Sequence, residues 1–425
     1  MPSMRTKVLI AGQIICLVLI SSSLYLGRDR LTRLQMPSFL PGSTKSGQGA
    51  VGKNDTTEAM GVLSTANITA YVDAILDAQA THLPRLSCPE LDTARYNYLK
   101  ATPLDETTIK YFFALDLRQC LPILPRLIGS VVEVIKFLGP KHCALSIIEG
   151  PSEDGTGEVL AALRPGLDAL TTTYYFKHSN FTSSEGDRIA RLAALRNMAL
   201  QPLLDEPDRY TANDTTVVFL NDVAICQEDI LELIHQRVFL GADMTCAMDW
   251  TYVGRDPTFY DVWIARGMNG DNFFEIPPDG NWNSAWNIFW NNPAAQERFN
   301  SHQPFQVFSC WNGAVAFTAK PIVEKTITFR APNVEAGECM QGEPQLFCKD
   351  LWFRGYGKIA TVPAVNLEYS DEAAKKIKEA KGYTSQWVGK RADEGIDWQL
   401  DPPEKVKCIP NYENQFWQAW NETLT

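Results

Sequence analysis

Asp222 ends the run Val217-Val218-Phe219-Leu220-Asn221-Asp222. Four apolar residues of the kind that form a buried strand deliver a carboxylate at its C-terminal end. A carboxylate placed there can hold a hard divalent cation, Mn²⁺ or Mg²⁺, which bridges two phosphates through oxygen ligands and open positions. The two-carboxylate spacing Asp-x-Asp is broken, because Leu220 holds the first position and leaves Asn221 as the auxiliary. The same Asn-Asp pair is also ordinary turn chemistry.

A second group is basic. Arg188, Arg191 and Arg196 lie on one helical stretch that runs into Asn197. Guanidinium forks suit phosphate oxygens, although a solvated basic face would carry the same pattern. Glu149 opens a loop containing Ser152, Asp154 and Thr156 that can hold a ribose or a base, or simply make an Asp-Gly turn. Asp249, Asp261, Asp271, Glu338, Glu343 and Asp350 sit in loop-like surroundings that do not rank them. Trp282, Trp286 and Trp290 recur every fourth residue, one aromatic stripe on a helix. That stripe is either core packing or a surface for stacking a sugar. The five histidines show no metal-ligand spacing, which argues against zinc, and no Walker A, G-x-S-x-G or G-x-G-x-x-G match stands out.

These residues need elements to hold them. Strands are expected at residues 111–117, 143–148, 215–220 and 244–248. Helices are expected at 123–138, from 156 to 163, at 188–200 and at 229–236. Strands alternating with helices imply an α/β fold, a mainly parallel sheet with helices on both faces. Ligands bind such sheets at the C-terminal strand ends, which puts Glu149 to Asp154, Asn221-Asp222 and Asp249-Trp250 at one edge. Residues 305–317 read as two short strands about a Trp311-Asn312-Gly313 turn.

The chain has 425 residues, a formal charge of −11 and 45% hydrophobic residues, so wholesale disorder and phosphate-backbone binding are both excluded. Residues 8–26 form an uncharged apolar run flanked by Arg5, Lys7, Arg28, Arg30 and Arg33. This is long enough for a single N-terminal transmembrane helix and too long for a typical cleaved signal. The organisation expected is a cytoplasmic tail (1–7), a membrane anchor (8–26), a Gly/Ser/Thr/Pro-rich stem (27–66), a lumenal domain (67–400) and a C-terminal extension (401–425). Five glycosylation sequons, at Asn54, Asn67, Asn180, Asn213 and Asn421, all follow the apolar run and favour the lumenal side. Nine cysteines also follow it, an odd number, and Cys339 with Cys348 is the expected disulfide.

Several segments carry a family likeness in order. They are residues 142–150 (His-Cys-Ala-Leu-Ser-Ile-Ile-Glu-Gly), Asp154-Gly-Thr156, Gly186-Asp-Arg-Ile189 with Leu195-Arg-Asn197, Phe219-Leu-Asn-Asp-Val223, Phe308-Ser-Cys-Trp-Asn-Gly313 and Cys348-Lys-Asp-Leu351. Together they resemble the fungal capsule-associated α-1,3-mannosyltransferases, glycosyltransferase family 69. The likeness runs from about residue 111 to 383 and leaves out the stem and the C-terminus. It implies a type II Golgi membrane enzyme with a GT-A-like fold. Such an enzyme transfers mannose from GDP-mannose, with retention, to a mannose-containing glycan, using Mn²⁺ or Mg²⁺. On this likeness Asp222 is the metal ligand and Glu149, Arg196 and Asn197 are donor-nucleotide candidates, to which the reading of the residues themselves adds Ser152, Asp154 and Arg188. Trp311, Asn312 and Gly313 would shape the acceptor pocket; the likeness nominates no nucleophile, and Asp249 and Asp261 are the candidate catalytic carboxylates from the reading of the residues. A transferase of the same fold with another sugar nucleotide is one alternative, since no residue reads the sugar, and an inactive carbohydrate-binding or scaffold subunit of a Golgi complex is another, suggested by the broken Asp-x-Asp.

Overall fold

The strands that face the site are apolar along most of their length because both of their faces are covered. In β1 (Tyr111–Leu117), Tyr111, Phe113 and Leu115 point into one core while Phe112 and Ala114 point into another. In β4 (Thr216–Leu220), Val218 and Leu220 join the first core and Val217 and Phe219 the second. The helices Leu124–Leu138 and Gln227–Phe239 cover the first face, and Arg188–Asp205 and Glu343–Phe353 cover the other. The computed structural model describes residues 63–100, 108–181, 186–210, 215–390 and 392–424, all within the unit Ala59–Thr425. The expected anchor at 8–26, most of the stem, Asn54 and Asn213 lie outside the described residues. Among those described, no helix is long and apolar enough to cross a membrane.

The central sheet is mixed. The remaining strands on its main path are β2 (Cys143–Glu149), β3 (Thr173–His178), β5 (Met244–Val253), β7 (Arg266–Gly267), β8 (Phe305–Ser309), β9 (Ala314–Thr318) and β10 (Ile359–Leu367). Their order is β3-β2-β1-β4-β9-β5-β10-β8-β7, with β6 (Asp256–Phe259) paired to β5 off this path. The block β3-β2-β1-β4 and the pair β5-β10 are parallel, as strand–helix alternation requires. Strand β9 runs antiparallel between β4 and β5.

Three expectations are corrected. Strands β8 and β9 exist but do not form a hairpin, since β9 pairs with β4 and β5 while β8 pairs with β10 and β7. The Trp311-Asn312-Gly313 segment is therefore a crossover, turned by left-handed residues at Asn312 (φ 55°) and Gly313 (φ 81°). The tryptophan stripe is not helical. Asparagine and aspartate side chains bind nearby backbone instead (Asn281 N to Asp279 Oδ1, Asn283 N to Asn281 Oδ1), turns that compete with a helix, and Trp286 is left 78% exposed. Nor does Cys339 pair with Cys348. Among the described residues the disulfides are Cys88–Cys226, Cys246–Cys310 and Cys339–Cys408, and Cys120, Cys143 and Cys348 remain buried thiols. Cys348 sits in the helix Glu343–Phe353 with its thiol donating to Cys310 O, while Cys339 faces the C-terminal hairpin of β11 (Lys405–Asn411) and β12 (Asn414–Ala419). That hairpin also supplies Lys407 O to the buried Arg266 Nε at 2.9 Å.

Candidate active site

The parallel register of β1 and β4 sets Leu115 beside Leu220, so the residues just beyond them, Asp116 and Asn221-Asp222, leave the sheet at one edge. Strand β2 ends at the same edge with Glu149, opposite Leu117. Between these ends lies a cleft of about 300 Å³ whose charged lining is Asp116, Arg118, Arg188, Arg196 and Asp222. Asp187 caps the helix behind it, accepting from the amides of Ile189 (3.0 Å) and Ala190 (3.1 Å), and so fixes where Arg188 enters the cleft. Burial pushes the Asp116 carboxyl up to about 6, with Arg196 pulling it down and Asp222 pushing it further up. The walls around Asp222 raise its carboxyl too, against its own backbone amide and Arg196.

Arg196 is the buried centre of the site, 6% exposed. Its Nε donates to Glu343 Oε1 at 2.9 Å, and its guanidinium lies 4.4 Å from the ring centre of Trp311 and 5.1 Å from that of Phe219. Burial works against its charge, and Asp116 and Glu343 more than offset that. The Nη1 nitrogen is buried with no hydrogen-bond partner. A buried guanidinium nitrogen left unmated next to an open cleft is a donor set for an anionic ligand.

Asp249 and Asp261 do come together, at the end of β5. Tyr260 N donates to Asp249 O at 3.1 Å, which brings Asp261 beside Asp249. The Asp249 side chain is fully buried and accepts from Tyr369 OH at 2.7 Å. Asp261 is only part-buried, accepts from Asn312 N at 2.9 Å and lies within the field of Arg196.

The other expected residues have structural roles. Asn197 clamps Phe329, accepting from its amide (3.0 Å) and donating to its carbonyl (2.8 Å). Ser152 accepts from Gln119 N, and Asp154 accepts from Leu121 N and Thr156, so the two pin one loop to another. Glu149 is buried against His178 at the β2–β3 end, away from the cleft lining. Trp311 and Asn312 are corrected from acceptor-pocket residues to interior ones. The indole donates to Asn221 Oδ1 (3.0 Å), Asn312 Nδ2 donates to Ala247 O (2.7 Å), and Gly313 packs beneath Val223. Asn67, Asn180 and Asn421 are all exposed, as a sequon must be.

Sequence reasoning missed Asp116, Arg118 and Tyr369, and did not single out Glu343. A lone acid interrupting the apolar strand Tyr111–Leu117 was the available signal for Asp116. For a divalent cation, Asp116 and Asp222 offer hard oxygen donors in one cleft and leave the remaining positions to phosphate and water, as Mg²⁺-like ions prefer. Elsewhere among the described residues Glu232, His235 and Asp393 converge, but Arg95 already forks onto Glu232 (2.8 Å) and Asp393 (2.6 Å). That cluster is neutralised from within.

A family model described as cryptococcal mannosyltransferase 1 matches residues 110–350. Over 333 residues the chain is 36% identical to the alpha-1,3-mannosyltransferase CMT1 of Cryptococcus neoformans var. neoformans, covering 74% of this chain and 71% of that one. Among solved structures, S. aureus TarS 1-349 is 13% identical with a TM-score of 0.35, covering 61% of this chain and 60% of that chain. Mannosyltransferase PcManGT from Pyrobaculum calidifontis, solved with GDP-Man and Mn²⁺, is 11% identical with a TM-score of 0.35, covering 72% of this chain and 67% of that chain.

Proposed function

The chain belongs to the cryptococcal mannosyltransferase 1 family and is a mannosyltransferase, and from that premise we propose that its cleft moves mannose from GDP-mannose onto a mannose-containing glycan, forming an α-1,3 linkage with retention. The observation that carries this reading is the unmated Nη1 of Arg196 in a cleft that also holds Asp116 and Asp222. Cation and anion donors side by side suit a metal-bound diphosphate better than a neutral sugar. Asp116 and Asp222 would hold Mn²⁺ or Mg²⁺. When bound, the ion neutralises charge on the departing diphosphate.

Arg188, Arg118 and Arg196 line the cleft where phosphate oxygens would lie, and fixed donors aimed at developing charge lower the barrier without reorganising. Same-face attack lets the leaving phosphate oxygen take the acceptor hydroxyl's proton, so the protein's work is to orient both sugars. Of the two candidate carboxylates, Asp261 keeps part of its surface open while Asp249 is closed off from solvent, so Asp261 is the one assigned to the sugar, although it lies outside the lining of the cleft itself.

Three disulfides and the sequons support a lumenal setting, with residues 8–26 as a type II Golgi anchor. A GDP-mannose hydrolysis and transfer assay with Mn²⁺, run against other GDP- and UDP-sugars, tests the donor. Activity confined to another nucleotide sugar overturns the reading. A soluble product beginning near residue 23 overturns the anchor.

A further inference from the structure

Asp249 lies in the buried part of β5 with no exposure at all. Its Oδ2 accepts the Tyr369 hydroxyl at 2.7 Å, while its Oδ1 is buried and accepts from nothing. No Lys, Arg or His pairs with it among the described residues. The titratable groups around it are Asp261 on the following loop, Tyr260 beside that residue and Tyr369 after β10. All three are acids; the Tyr369 hydroxyl and the backbone amides of Asp249 and Asp261 favour a charge on Asp249, and Arg196, Arg266 and Arg188 reach only its neighbours Asp261 and Tyr260, so burial and the Asp261 charge prevail. An isolated buried carboxylate is too costly to keep ionised, whereas a neutral acid carries an O–H that can donate. Asp261 is the acceptor at hand. Its Oδ2 is held by Asn312 N, in a crossover whose left-handed backbone fixes where that amide points.

We propose that Asp249 is a protonated positioning acid, which hydrogen-bonds to Asp261 and holds that carboxylate, ionised, toward the transferred mannose. Tyr369 keeps the proton on the Oδ1 side by occupying Oδ2. Burial first, and the Asp261 charge second, both raise the Asp249 carboxyl, in the direction this arrangement needs. The positioning role rests on Asp261 facing the sugar. The protonated state does not.

Two measurements on full-length protein separate these. In a neutral form Asp249 is mimicked by asparagine, whose NH₂ donates to Asp261 while its oxygen accepts from Tyr369. Asp249→Ala should lower kcat for transfer by about 30-fold or more with donor KM nearly unchanged, and Asp249→Asn should recover most of that loss. The second measurement is the melting temperature of Asp249→Asn against wild type. The wild-type pair must take up a proton to fold at neutral pH, so its stability falls as pH rises above the unfolded carboxyl value. The asparagine variant has no such proton. The gap in its favour should widen by roughly 2 °C or more between about pH 5 and about pH 8. A flat gap overturns the protonated state, and it does so even if the alanine variant fails to fold. A widening gap with no transfer defect in Asp249→Ala, or a defect that asparagine leaves unrepaired, overturns the positioning role. Failure of GDP-mannose as donor would already show in the wild type, before any variant is compared.

Discussion

The indole Nε1 of Trp311 donates to Oδ1 of Asn221 at 3.0 Å. One hydrogen bond thus ties the crossover between β8 and β9 to the residue that precedes Asp222. It spends the Asn221 oxygen on the interior, which leaves Asp222 and Asp116 as the acidic lining of the cleft. The same indole stacks under the Arg196 guanidinium, 4.4 Å away. Trp311 therefore fixes both signs of charge in the site without being exposed to it.

Replacing Asp222 by asparagine keeps the side-chain size and removes the charge that holds a hard cation. Transfer should fall by about 100-fold or more with the fold intact. Metal-dependent kinetics and a melting curve check it. An active variant, together with a wild type indifferent to chelator, overturns the metal role.

Arg196→Lys tests the guanidinium itself. A lysine can supply the charge but not Nε to Glu343 and Nη1 to the cleft at once, nor a plane to lie over Trp311. The GDP dissociation constant should rise by about 10-fold. Calorimetry measures it, and a wild-type value would leave Arg196 as a purely structural residue.

Cys408→Ser should unpin the C-terminal hairpin and cost about 2–4 kcal/mol. Cys348→Ser should leave all three disulfides in place. Non-reducing peptide mapping reads the pairs directly, and a Cys339–Cys348 peptide would contradict the structure.

Glu338 sits between Arg330 (2.7 Å) and Lys349 (2.7 Å) and accepts from Asn333 N. Burial raises its carboxyl, but these partners together hold it down at about 2. A depressed carboxyl stabilises the fold above its unfolded value, near 4.5, and loses that contribution as pH falls toward 2. Glu338→Gln should therefore cost about 3 kcal/mol at neutral pH, and its deficit should close between about pH 4.5 and about pH 2. Denaturant melts across that range measure the difference.

Much of this architecture was legible in the chain. The strand Tyr111–Leu117 has the bounds its apolar run predicts, since a strand buried on both faces is nearly continuous in apolar residues, here broken only by Asp116. That Asp222 and Arg196 would share one edge of the sheet was legible too, because strand-end acids and helix-borne arginines stand out against apolar surroundings, and both line the cleft. Asn197, Ser152 and Asp154 were misread because a side chain that binds backbone looks the same in sequence as one that binds a ligand. Long-range pairings were beyond reach. Nothing near Cys339 announces Cys408, and nothing near Asp249 announces Tyr369, 120 residues later.

The Arg266 guanidinium is fully buried and takes Lys407 O, 141 residues further on, as the acceptor for its Nε. During synthesis the ribosome must add all of those residues before this cation finds that carbonyl. Until then its Nη1 can reach the nearby carbonyls of Val262 and Ala265, but its Nε has no Lys407 carbonyl to bind. Truncations that remove residue 407 would take that acceptor away permanently, so the C-terminal hairpin completes the enclosure of a guanidinium laid down far upstream of it.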